Sequence, residues 1–189
     1  FGTMKKYFQF TKEAQKTLRN GGVGVIPTDT IYGVSGSALL PGAVERIYRL
    51  RQRNPKKPMI ILISSLAELK RFGIRMDNKT REILKEVWPG PVSVVLPCPL
   101  KRFLYIHRGT KTIAFRVPKP NWLRKLLANT GPLVAPSANI EGKPPAKTIQ
   151  EAKKYFGGKV DFYVDAGKII SAPSTLIAIK DGKIVVLRK

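Results

Sequence analysis

The chain is 189 residues long, room for one domain rather than a fusion of two, since domains commonly run to about 100–200 residues. Hydrophobic residues make up 43% of it and charged residues 25%, ordinary globular proportions that exclude a disordered or collagen-like chain. Lys and Arg number 35 against 12 Asp and Glu, a formal charge of +23 that calls for an anionic partner.

In chain order, Thr11 to Asn20 reads as a helix capped by Thr11 and stopped by Gly21-Gly22, and Val23 to Ile26 as an apolar strand. Ala43 to about Arg51 is a second helix, ended by Asn54-Pro55, and Met59 to Ile63 a continuous apolar strand. Leu66 to Phe72 and Asn78 to Val87 read as helical; Trp88-Pro89-Gly90-Pro91 then breaks the chain before the strand Val92 to Leu96. Thr112 to Val117 is a strand, Asn121 to Asn129 a helix and Leu133 to Ala135 a short strand. Thr148-Ile149-Gln150-Glu151 is a capping box opening a helix that reaches Phe156. The strands Val160 to Val164, Ser174 to Ile179 and Ile184 to Leu187 follow, the last two joined by the hairpin pair Asp181-Gly182. This order predicts a single α/β domain, helices on a mixed or largely antiparallel sheet, without regular βαβ repetition. Phe1-Gly2-Thr3 ahead of Met4 reads as an expression scar, which leaves 4–189 as the domain.

Several chemistries are excluded. Cys98 and His107 are the only residues of their types, so disulfide scaffolds and zinc clusters are out, and no metal centre is expected. His107, in Tyr105-Ile106-His107-Arg108-Gly109, reads as a solvated loop histidine rather than a catalytic base. Gly22-Val23-Gly24 follows a helix and runs into a strand, the reverse of a dinucleotide-binding loop, and no P-loop occurs. Gly33-Val34-Ser35-Gly36-Ser37 ends in serine where a nucleophile elbow needs glycine. The apolar runs are strand-sized and no signal-peptide pattern opens the chain, so the expectation is a soluble, cytoplasmic protein that does not engage a membrane.

Four positions stand out. Val44, Ile47 and Tyr48 form one face of the second helix, and Arg51 continues that stripe, with Arg53 just beyond. Either Arg51 is a buried cation facing an anion, or it is a snorkelling arginine at a helix end. Pro27-Thr28-Asp29-Thr30-Ile31-Tyr32-Gly33 places hydroxyls and a carboxylate at a strand end, as a ligand site or as an Asx or ST turn. Pro136-Ser137-Ala138-Asn139 repeats that design, with a cap or turn as its alternative, and Arg116 sits in a strand where a solvated face also accounts for it. Arginines, hydroxyls and an amide, without groups that titrate near neutrality, suit anion binding and phosphoryl or nucleotidyl transfer, which need positioning and charge stabilisation rather than a protein nucleophile.

Read together, the Pro27 to Gly33 and Pro136 to Asn139 segments, Arg51-Gln52-Arg53 leading to Lys57-Pro58, Trp88-Pro89-Gly90-Pro91, Phe115-Arg116-Val117-Pro118 and Pro173-Ser174-Thr175 resemble the YrdC-like family of threonylcarbamoyl-AMP synthases. The match in order and approximate spacing runs from about Val23 to Ile179. The resemblance implies a YrdC/RibB-like fold, a twisted mixed or antiparallel sheet flanked by helices with a basic concave face. It also implies a nucleotidyltransferase: L-threonine, bicarbonate and ATP give threonylcarbamoyl-adenylate and pyrophosphate for tRNA threonylcarbamoyladenosine modification. The family's K-x-R and S-x-N tetrad falls on Arg51, Arg53, Ser137 and Asn139, with arginine where the family has lysine. Leu62 stands where members with a long C-terminal extension often carry histidine, so the chain reads as a short, single-domain member. On this resemblance Thr30 and Arg116 hold the amino acid and Arg51 and Arg53 the triphosphate. Ser137 and Asn139 orient the α-phosphate and carbamate, and Ser174 closes the pocket wall. Mg²⁺ arrives on ATP, with Asp29 the nearest possible ligand. Implied partners beyond the substrates are tRNA or other RNA and a downstream threonylcarbamoyl-transfer enzyme. The competing reading, motivated by the charge, is an RNA-binding or ribosome-assembly factor without ATP turnover.

Overall fold

The computed structural model describes residues 12–189, so Thr11 and the first residues up to Met4 lie outside the described residues. Helix α1 covers 12–19, and strands β1 (Val23–Pro27) and β2 (Tyr32–Ser37) follow as an antiparallel hairpin. Strand β2 escapes the sequence reading: Gly33, Ser35, Gly36 and Ser37 break its apolar pattern, yet every residue in it is buried. Helix α2 (Pro41–Leu50) opens on a proline whose ring presets the first helical turn, and buries Ala43, Val44, Ile47 and Tyr48 along one stripe.

Strand β3 (Ile61–Leu62) is shorter than the apolar run suggests, and Leu66–Phe72 is a 3₁₀ run instead of an α-helix. Helix α3 (Asn78–Val87) is capped by Asp77, whose carboxylate accepts from the Thr80 amide at 2.7 Å. Strand β4 (Val92–Pro97) leads to a 3₁₀ turn at Lys101–Phe103 and the single-turn helix α4 (Leu104–His107). The sequence reading of His107 as solvated is wrong: the ring is buried, and its Nδ1 accepts from the Gly109 amide at 3.1 Å. Strand β5 (Thr112–Arg116), helix α5 (Asn121–Thr130), strand β6 (Leu133–Val134) and helix α6 (Ile149–Phe156) come next. Thr148 caps α6 as expected, but the returning Glu151 carboxylate accepts from Lys147, one residue before the cap. Strand β7 (Phe162–Tyr163) precedes the hairpin of β8 (Thr175–Lys180) and β9 (Lys183–Arg188), where Asp181 and Gly182 both take positive φ, the geometry that tight hairpins require.

Among the described residues these strands make one mixed sheet in the order β7-β1-β2-β6-β3-β5-β4-β8-β9. One face carries the main core, built on Val23, Val25, Val34, Ile61, Phe115, Val94 and Ile177 under α2, α6 and the 3₁₀ run. The other face is divided. Over β1, β3 and β6 it is covered: Ile26, Leu62 and Leu133 pack against Leu18 of α1 and Leu123, Leu126 and Leu127 of α5. Over β5, β4 and β8 it is open. Gly24 lies at the covered end, where a Cβ would sit 2.2 Å from the Phe162 ring, so only glycine fits. Strand β9 forms a sheet edge with Ile184, Val186 and Leu187 exposed between Lys183 and Arg188. Among the described residues no helix is long and apolar enough to cross a membrane.

Candidate functional site

A cavity of about 470 Å³ occupies the open part of that face and the loops beside it, within the range of small-molecule sites. Thr30, Arg51, Arg53, Arg116, Ser137 and Ser174 all line it, although they come from segments spread along the chain. Asn139, the remaining residue singled out from the sequence, is buried and hydrogen-bonded to two of them.

The turn between β1 and β2 is the ST turn of the sequence reading, and it also faces the cavity. Thr28 Oγ1 donates to the Ile31 carbonyl at 2.6 Å and accepts from the amides of Thr30 and Ile31, an ST turn. The same turn presents Thr28, Thr30 and Ile31 to the cavity.

Arg51 follows the last residue of α2 and is 3% exposed, so it is a buried cation and not a snorkelling one. Its Nε donates to the Asn139 carbonyl at 3.1 Å, and Nη2 donates to Ser137 Oγ at 3.2 Å and to Asn139 Oδ1 at 3.1 Å. Ser137 Oγ donates in turn to Asn139 Oδ1 at 2.6 Å, while Asn139 Nδ2 donates to the Ile140 and Lys143 carbonyls. The planar fork thus ties both Ser137 and Asn139 to the end of α2, which a lysine with one nitrogen could not do in the same way. Arg51 Nη1 has no partner among the described residues. Burial, reinforced by Arg53, lowers the Arg51 pKa to about 10, which keeps it cationic at neutral pH. Arg53 is held by the carbonyls of Lys57 (3.2 Å from Nε) and Pro58 (2.7 Å from Nη2).

Glu141 joins the two loops. Its amide donates to the Arg51 carbonyl at 2.8 Å, and its carboxylate accepts from the Asn54 amide at 2.6 Å and Lys57 Nζ at 2.9 Å. The Asn54 hydrogen bond first, then Lys57, holds the Glu141 pKa below its ordinary value.

Arg116 ends β5. The reading that places it on a solvated strand face is corrected here, since it is 4% exposed and pairs with Asp29 at 2.9 Å. Its Nη1 donates to Ser93 Oγ at 3.3 Å, and Ser93 and Ser174 share a hydrogen bond of 2.9 Å. Burial lowers the Arg116 pKa, opposed by the attraction of Asp29. Asp29 Oδ1 is thus engaged by a guanidinium, and the described residues contain no group of three His, Cys, Asp or Glu suited to a metal ion.

Sequence reasoning missed Ser93, Glu141 and Arg188. Arg188 lines the cavity and donates to the Ser174 carbonyl at 3.0 Å. A cation ending an otherwise apolar strand was its single signal. Neither His107 nor Cys98 reaches the cavity. Cys98 is buried, its thiol donates to the Phe72 carbonyl, and burial pushes its pKa up. The cavity lining and Asn139 beside it offer cations, hydroxyls and an amide, groups that suit anions.

Comparison with known proteins shows the family. A protein-family model for Sua5, YciO and YrdC, described as telomere recombination, matches residues 16–189. The threonylcarbamoyl-AMP synthase of Pyrococcus abyssi is 34% identical over 173 residues, 90% of this chain and 51% of that protein. A putative threonylcarbamoyl-AMP synthase of Methanocaldococcus jannaschii is 33% identical over 98% of this chain and 86% of its own length. The crystal structure of P. abyssi Sua5 complexed with L-threonine superposes with a TM-score of 0.85 at 32% identity, covering 98% of this chain and 54% of that one. The chain thus spans about half the length of the P. abyssi protein and most of the M. jannaschii one. With its fold and its sequence in agreement over nearly the whole length, the chain belongs to the Sua5/YciO/YrdC family.

Proposed function

We propose that this chain is a threonylcarbamoyl-AMP synthase that joins L-threonine, bicarbonate and ATP into threonylcarbamoyl-adenylate and pyrophosphate. The observation that carries the reading is the convergence of two buried cationic clusters, Arg51 with Ser137 and Asn139, and Arg116 with Ser93 and Ser174, on one cavity. Every reactant is an anion or carries a carboxylate, and a cationic hollow lowers the cost of bringing them together.

In this reading Arg116 takes the carboxylate of threonine, with Thr30 and Ser174 beside it. The unprotonated amine adds to bicarbonate carbon and water leaves, giving an N-carboxylate. One oxygen of that carboxylate attacks the α-phosphorus as the bond to the β-phosphate oxygen breaks and pyrophosphate departs. The nucleophile is already an anion, so a titrating side chain is not needed at this step. Arg51 and Arg53, both on the cavity wall, hold the phosphates, with Arg188 as a further cation beside them. Ser137 and Asn139 orient the α-phosphate, and a divalent cation enters as part of the nucleotide substrate.

Pyrophosphate release from ATP, with threonine and bicarbonate omitted in turn, tests the reading. Release is expected only with both present. Arg53→Ala or Asn139→Ala is expected to abolish it while circular dichroism still reports a folded protein. Turnover unaffected by either change rejects the site. Nucleic-acid binding of steep salt dependence with no ATP turnover favours the RNA-binding reading that the net charge of +23 motivates.

A further inference from the structure

We infer that Asp29 and Ser93 are positioning residues that aim the Arg116 guanidinium at the carboxylate of an amino-acid substrate, an assignment that rests on the amino-acid end of the proposed reaction. Asp29 sits in the β1–β2 turn, but it is not needed there. Thr28 Oγ1 already supplies the hydrogen bonds that close the turn. The Asp29 carboxylate instead reaches back, buried to the same 4% exposure as Arg116, and accepts from Nη2 with Oδ1. Ser93, wholly buried in β4, accepts from Nη1 on the other side and shares its remaining hydrogen-bonding capacity with Ser174.

The geometry is that of a held donor and not of a closed structural pair. A guanidinium and a carboxylate that serve only each other favour two parallel hydrogen bonds. Here one forms, and Arg116 Nε and Asp29 Oδ2 both lack partners among the described residues, although both are buried. Buried donors without partners are costly, so a guanidinium that lines the cavity and has an unsatisfied Nε retains capacity for a further acceptor. Five N–H groups in a fixed plane let one arginine serve an internal anion and an external carboxylate together, which a lysine ammonium does less well. Ser93 also couples Arg116 to Ser174, so two groups of the amino-acid end are set by one hydroxyl.

The test measures L-threonine and a non-hydrolysable ATP analogue by calorimetry on the wild type, Asp29→Ala, Asp29→Asn and Ser93→Ala. Ser93→Ala is expected to weaken threonine by about threefold and Asp29→Ala by about tenfold, with nucleotide affinity within about twofold of wild type. Asp29→Asn keeps an acceptor for Nη2 and is expected to restore threonine binding to within about threefold. In parallel, the Arg116 Nε–H resonance of the ligand-free wild type is expected to be sharp and slow to exchange, and to broaden in Ser93→Ala. Wild-type threonine affinity in Ser93→Ala overturns the inference, as does equal loss of both ligands without rescue by asparagine. Should Asp29→Ala fail to fold, Ser93→Ala and Asp29→Asn decide alone. A wild type that binds nucleotide and no threonine defeats the functional reading, while the Arg116 resonance then upholds or overturns the positioning role by itself.

Discussion

Leu62 and Arg116 are register partners across the β3–β5 ladder and face the same side of the sheet, yet one lies in a closed core and the other lines a cavity. The strand scaffold is continuous from one to the other, so side-chain chemistry makes the difference. Ile26, Leu62 and Leu133 offer an apolar surface that gains by recruiting the leucines of α1 and α5. A few ångströms along, Ser93, Ala114 and Arg116 offer short groups and a charge. An apolar helix laid over them would strip the guanidinium of water with nothing in return. One half of the face thus contributes stability, and the other leaves a hollow lined by arginines.

The largest expected effects come from exchanging the two characters. Leu126→Ala, in the closed half, should cost about 2–5 kcal/mol in denaturant unfolding with little change in ligand affinity. Ala114→Leu, in the open half, should leave stability nearly unchanged and block ligand binding by filling the cavity. Equal stability losses from both would break the distinction. Arg51→Lys comes next: it restores the residue typical of the resembled tetrad but removes the fork that holds Ser137 and Asn139. A loss of about 1–3 kcal/mol in transition-state stabilisation, read as kcat/KM for pyrophosphate release, is expected, and unchanged kinetics would show that charge alone suffices. The smallest effect concerns pH. Glu141 has its pKa lowered from 4.5 in the folded state, so its contribution is complete above 4.5 and fades as pH falls through the lowered value. Melting temperature measured on acidification should therefore drop less steeply in Glu141→Gln than in wild type.

Much of the scaffold was legible because it is locally encoded. Asn78–Val87 matches its predicted bounds, with Asp77 in capping position, and the β8–β9 turn follows from Asp181-Gly182. Strand β2 was not legible: it is central, glycine at two positions hides its alternation, and its burial comes from neighbours distant in sequence. Arg51 showed itself as a cation on an apolar stripe. Asp29, Ser93 and Arg188 showed little, because what defines them is a partner 87, 81 or 14 residues away that no local pattern names. The capping reading of Thr148 succeeded for the cap itself, yet the reach of Glu151 to Lys147 depends on how the chain enters the helix.

The edge formed by β9 has a consequence for handling the protein. Its outer backbone, unpaired among the described residues, and bare Ile184, Val186 and Leu187 are a template for a second strand, guarded by the cations Lys183, Arg188 and Lys189. Mutual repulsion between two such edges is long-ranged at low salt and shrinks to about 3 Å at 1 M. Concentrated salt therefore acts in opposite senses on the two surfaces of this molecule, weakening the proposed hold of the arginines on anionic substrates while removing the barrier that keeps neighbouring copies from zipping together.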